Sequence, residues 1–86
     1  MAKYTVKRSN HHTFFFKHEP SAPDLLHIYV RHLTSEPDAI AAFFTGIRTW
    51  NQARERFETT SATHTLYWFW LNEAEKKVMI VSCFRV

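Results

Sequence analysis

One histidine and a set of arginines carry the chemistry this sequence could do. His32 follows Arg31, and Arg48, Arg54, Arg56 and Arg85 come later in the chain. Cleaving RNA without a metal ion takes a group for the 2′-hydroxyl proton, donors for the charge on phosphorus, and help for the leaving oxygen. Imidazole suits the first or last task, because histidine changes charge near neutral pH. Guanidinium suits the second, because its planar fork matches phosphate oxygens. On this reading His32, Arg54, Arg56 and Arg85 form the catalytic set, while Arg31, Arg48 and Lys17 hold the nucleic acid. The plainer reading has His32 closing a strand and the arginines solubilising a small, apolar domain.

Other reactive residues point elsewhere. His11, His12 and His18 invite a zinc reading, but no Cys pair accompanies them, and adjacent residues of an extended chain face opposite ways. No metal is expected. Cys83, the single cysteine, sits beside Phe84 in an apolar run and reads as buried and inert. With one glycine the chain cannot form a phosphate-binding loop or a hydrolase elbow, so no cofactor is expected. Trp68 and Trp70 share one strand face, as base-stacking platforms do, but no cation is interleaved with them. They read better as core or as the anchors of a protein interface.

These residues need a scaffold. The chain has 86 residues, enough for a single domain spanning 1–86, and 45% of them are hydrophobic, including eight Phe, three Trp and three Tyr. The longest apolar run, Leu66–Leu71, is far too short to span a membrane. The first residues, "MAKYTVKRSNHH", hold no hydrophobic signal core, and one cysteine makes no internal disulfide, so a cytoplasmic location is expected. A net charge of +3 agrees with phosphate-bearing partners.

The pattern predicts an α+β fold: an antiparallel sheet with one main helix packed on it. Strands are expected at 3–8 and 12–18, joined at Ser9-Asn10-His11, and at 25–32 after a proline-bearing loop. Ser35, Pro37 and Asp38 then mark a helix start, with Ser35 accepting from the Asp38 amide. Ile40, Phe43, Phe44 and Ile47 continue it as a stripe over about 36–46, where Gly46 stops it. Residues 47–63 are ambiguous. Strands at 64–71 and 78–86, joined by the polar turn "NEAEKK", make the clearest antiparallel pair. The strand at 64–71 is apolar on both faces, so one face takes the helix and the other needs a cover. The N-terminal hairpin is too short to supply all of it, which points to a protein partner or a homodimer.

Residues 31–84 resemble the BrnT group of small toxins from bacterial toxin–antitoxin modules, and related domains of RelE-type fold. The likeness rests on Arg31-His32 before the helix start and Phe43-Phe44, on Arg54-Glu55-Arg56-Phe57 entering a strand, and on Val81-Ser82 late in the final strand. Leu33 stands where the family has glycine, residues 3–18 have no counterpart, and no Arg/Glu/Tyr-bearing helix follows Val81-Ser82. The resemblance implies a metal-free endoribonuclease neutralised by an antitoxin. The alternative is a non-catalytic, phage- or plasmid-encoded inhibitor that binds a protein through Trp68 and Trp70.

Overall fold

Short apolar–polar alternations set the strands, and the computed structural model describes residues 3–86. Strands β1 (Tyr4–Ser9), β2 (His12–Glu19) and β3 (Ala22–Leu26) precede helices α1 (His27–His32) and α2 (Glu36–Thr45). Strands β4 (Ile47–Asn51), β5 (Arg56–Thr60), β6 (His64–Asn72) and β7 (Lys77–Arg85) follow as a meander. The sheet order is β1-β2-β7-β6-β5-β4, with β3 attached to the far end of β2. This is the expected α+β architecture, mostly antiparallel, with one main helix. The exception is the join of β2 to β7, which run parallel from Thr13↔Lys77 to Phe16↔Ile80.

The β1–β2 hairpin turns through Asn10 (φ 47°) and His11 (φ 65°). Two consecutive left-handed residues make a turn whose twist matches that of the strands, and Asn and His tolerate that region better than most.

The segment 25–32 corrects the expectation of a strand. Only its first two residues are extended; His27–His32 is helical and stops at Leu33, whose φ of 53° closes the turn. Tertiary context overrides β-propensity here. Beyond Phe16 and Ile80 the two parallel strands separate: β2 bends to pair with β3, and β7 bulges opposite Tyr67/Trp68. Helix α1 packs against both strands at this gap and sends Ile28 into the core beside Leu26. Arg31-His32 is therefore a helix end, not a strand end.

Helix α2 lies where the sequence predicts it, with Pro37 in its first turn. Its buried face differs in detail. Ala39, Ala42 and Phe43 are buried with Ile40 packed beside them, whereas Phe44 is 39% exposed and Ile47, already in β4, is 79% exposed. Ser35 makes no side-chain cap bond; the ladder opens with the Ala39 amide donating to the Ser35 carbonyl at 3.1 Å. Gly46 is required by close approach, since a Cβ there would lie 2.5 Å from Thr59 Cγ2 and 2.9 Å from the Ala42 oxygen.

The core gathers Phe14 and Phe16 of β2, Leu66 and Trp68 of β6, and Val78, Ile80 and Cys83 of β7 under Phe43. Trp68 stacks on Phe57 at 4.6 Å between ring centres and donates its indole N–H to Thr59 Oγ1 at 2.9 Å. Its polar atom is thereby satisfied within the interior.

Candidate functional site

Strand alternation gives the sheet a second face that no helix covers. Phe14, Phe16, Trp68, Val78 and Ile80 point toward α2, so Phe15, Lys17, Phe69 and Met79 point away. The register places Val6, Phe15, Met79 and Phe69 in one row across β1, β2, β7 and β6, with Tyr4 opposite Lys17 in the next. The β1–β2 hairpin extends the sheet sideways and does not fold over this face. Tyr4, Val6, Phe69 and Leu71 consequently stand exposed.

Aromatic rings and cations alternate on this face. Tyr67 and Phe84 lie 5.4 Å apart between ring centres. The Arg56 guanidinium covers Tyr67 at 3.9 Å, and the His32 ring lies 5.6 Å from Phe84 on the other side. Arg56 Nε is buried with no hydrogen-bond partner among the described residues.

A cavity of about 360 Å³ opens beside these rings, lined by Tyr4, Lys17, His27, Phe69, Met79, Ile80 and Val81. His27 is held in place from behind. Its Nδ1 lies 3.0 Å from Glu19 Oε2, and Arg31 Nε donates to the same oxygen at 3.1 Å. Ser21 donates to Glu19 Oε1 at 3.4 Å, and Glu19 itself is only 3% exposed. The Arg31 hydrogen bond, supported by His27 against the opposing effect of burial, holds the Glu19 carboxyl below its ordinary range. An ionised carboxylate only accepts, so Nδ1 carries the proton toward Glu19 and Nε2 is the ring nitrogen left for proton transfer. A histidine oriented by a buried carboxylate, next to a lysine and an aromatic surface, is equipped for proton transfer beside a phosphate.

The residues singled out in the sequence do not converge. Arg54 sits in the β4–β5 turn, at the opposite end of the sheet from Arg85, which pairs with His64. His32 reaches the open face, but two aromatic rings separate it from Arg56. Arg31 is tied to Glu19, and Arg48 lies on the helix side, 4.7 Å from the Trp68 ring and 5.4 Å from that of Phe43. Only Lys17 and Arg56 of the proposed phosphate-holding residues stand on the open face. Trp68 is wholly buried and Trp70 packs against the core from the helix side, so the aromatic surface belongs instead to Tyr67 and Phe69, on either side of Trp68 in the chain. His27 and Glu19 were missed because 25–32 reads as a strand. As a helix, it sets His27 and Arg31 one turn apart on one side, where a single carboxylate meets both.

Cys83 is buried, and loss of solvation, with Asp38 adding to it, pushes its thiol up to about 12. Among the described residues no three His, Cys, Asp or Glu side chains gather as metal ligands, and no helix is long and apolar enough to cross a membrane. No protein-family model, curated protein or solved structure matches the chain.

Proposed function

We propose that the protein binds single-stranded RNA on the open face of its sheet and cleaves it without a metal ion. The observation that carries this reading is His27, held by the buried Glu19 that Arg31 also bonds, at a cavity it shares with Lys17, on a face where Tyr4 and Phe69 are exposed. Bases stack on Phe69, Phe15 and Tyr67, a contact worth about 1–3 kcal/mol per base. Lys17 and Arg56 attract the backbone through their charge. His27 Nε2 takes the 2′-hydroxyl proton, and O2′ bonds to phosphorus while the P–O5′ bond breaks. The products are a 2′,3′-cyclic phosphate and a 5′-hydroxyl protonated from water. Lys17 stabilises the charge on the non-bridging oxygens in between. The resemblance to BrnT-like toxins supports the same reaction class and adds a neutralising antitoxin partner.

The test is a labelled single-stranded RNA in EDTA. Wild type is expected to cleave it, His27→Ala to lose about 10²–10⁴-fold in rate, and His32→Ala to lose little. An uncleaved RNA with wild type, or full activity in His27→Ala, sinks the catalytic reading.

One observation favours a second reading. Val6, Leu71 and Met79 lie among the rings, and aliphatic side chains suit a protein surface better than bases. On that reading the open face is a protein or homodimer interface with Phe69 near its centre. A dimer by light scattering that Phe69→Ala dissociates, with no RNA affinity, decides for it.

A further inference from the structure

The outer edge of β1 is a second unpartnered feature, distinct from the open face. Among the described residues β1 ends the strand order and bonds only to β2. The turn at Asn10-His11 pairs Ser9 with His12, and the His18 amide donates to the Lys3 carbonyl at 3.0 Å. With that parity Ser9, Lys7 and Thr5 bond to β2, while Tyr4, Val6 and Arg8 turn their backbone N–H and C=O groups outward. Behind this edge, on the helix side, runs a groove of about 550 Å³ between β1 and α2. Lys7 and Arg8 rim it on the β1 side, Glu36 stands at the start of α2 as its one carboxylate, and Pro37, Ile40 and Phe44 give it an apolar wall.

Charge selects the occupant. Lys3, Lys7, Arg8 and Lys17 all precede Glu19, the first carboxylate of the chain. The rest of the chain holds seven Lys and Arg against eight Asp and Glu, so the whole positive excess resides in the β1–β2 hairpin. A second copy of β1 laid along this edge would set like charges against each other, which is unfavourable. An acidic strand meets complementary charge instead. We infer that β1 is the docking edge for an acidic, extended peptide segment of a partner protein, which adds a strand to the sheet. Its backbone pairs with Tyr4, Val6 and Arg8, and alternate apolar side chains face Ile40 and Phe44. The inference goes beyond the RNA reading and does not depend on it, since it rests on the outward backbone of β1 and the helix-side groove and uses no group given a part in the cleavage.

A synthetic peptide alternating glutamate and valine over the length of β1 tests it, beside a lysine–valine counterpart and a single-stranded RNA oligonucleotide. Binding is read by fluorescence anisotropy and by protection of backbone amides in NMR. The acidic peptide is expected to bind and to protect the amides of Val6 and Arg8, and the lysine peptide to do neither. Val6→Pro deletes an outward N–H without touching the β1–β2 bonds; it is expected to weaken the acidic peptide about tenfold or more with the thermal midpoint unchanged. Joint reversal, Lys7→Glu with Arg8→Glu, leaves the buried core alone and is expected to exchange the preference for the lysine peptide. Failure of the acidic peptide to bind wild type overturns the inference, as does binding indifferent to both variants. Protection of the β1 amides by RNA, or by self-association of the chain, overturns it equally.

Discussion

Trp68 and Phe69 are neighbours in the chain and differ wholly in surroundings. Trp68 is 0% exposed beneath α2, stacked on Phe57 and bonded to Thr59, whereas Phe69 is 36% exposed on the face opposite α2. The same alternation separates Phe14 and Phe16, both buried, from Phe15 between them. Both faces are rich in aromatic side chains, so residue type does not say which face is core. What separates them is the cover: α2 lies over β5 and β6, α1 closes the end between β2 and β7, and among the described residues no element lies across the other side. An aromatic side chain on the helix side stabilises the fold, while one on the open side is free for a ligand.

The comparison breaks most sharply through stability. Trp68→Ala or Phe43→Ala is expected to cost about 3–5 kcal/mol, and Phe69→Ala about 1–2 kcal/mol, since 36% of that residue stays in water. Urea denaturation measures both; equal losses would mean that the open face is a covered one. Binding should show the reverse order. Phe69→Ala and Tyr67→Ala are expected to weaken single-stranded RNA by about 1–3 kcal/mol each, whereas Trp70→Ala, on the helix side, leaves affinity unchanged in a salt titration.

A smaller effect concerns the acid limb of stability. The Glu19 carboxyl lies below its ordinary value in the folded protein, chiefly because Arg31 bonds it. Its contribution is therefore full above the unfolded carboxylate value and is lost as pH falls through the folded one. Glu19→Gln should lower stability at neutral pH and flatten the acid limb; an unchanged limb would show that the pair does not govern it. The smallest expected signal is at Cys83. A thiol raised to about 12 stays protonated and shielded, so labelling by a thiol reagent should follow global unfolding and should be negligible in native conditions.

Much of the scaffold was legible because its signals are local. The Pro37 start fixed α2, the polar turn fixed the β6–β7 pair, and the apolar run of β6 announced that both its faces needed explaining. The ambiguous stretch 47–63 is β4, a turn and β5: Trp50 faces Phe57 across the pair, and Phe57 stacks on Trp68 of β6, a contact that lies outside the stretch. α1 was misread for the same reason. "LLHIYVRH" has strand propensity, and what makes it helical is the gap left where β2 and β7 part. The candidate site inherited that error: His32 drew attention because it stands beside an arginine, while His27 is oriented by Glu19, a residue on another strand.

The parallel join of β2 and β7 has a kinetic consequence. The meander from β4 to β7 closes through neighbours in the chain, but Phe16 meets Ile80 only after a loop spanning most of the molecule has closed. Closing such a loop costs entropy before any contact repays it, so docking of the hairpin is expected to be the slow, late step of folding. Unfolding retraces the same path, so that hairpin is expected to be the first piece to come away. A molecule breathing in this manner would bare the inner edge of β7 and release its cationic arm while the meander stayed intact, and amide exchange should show β1 and β2 opening together as one unit.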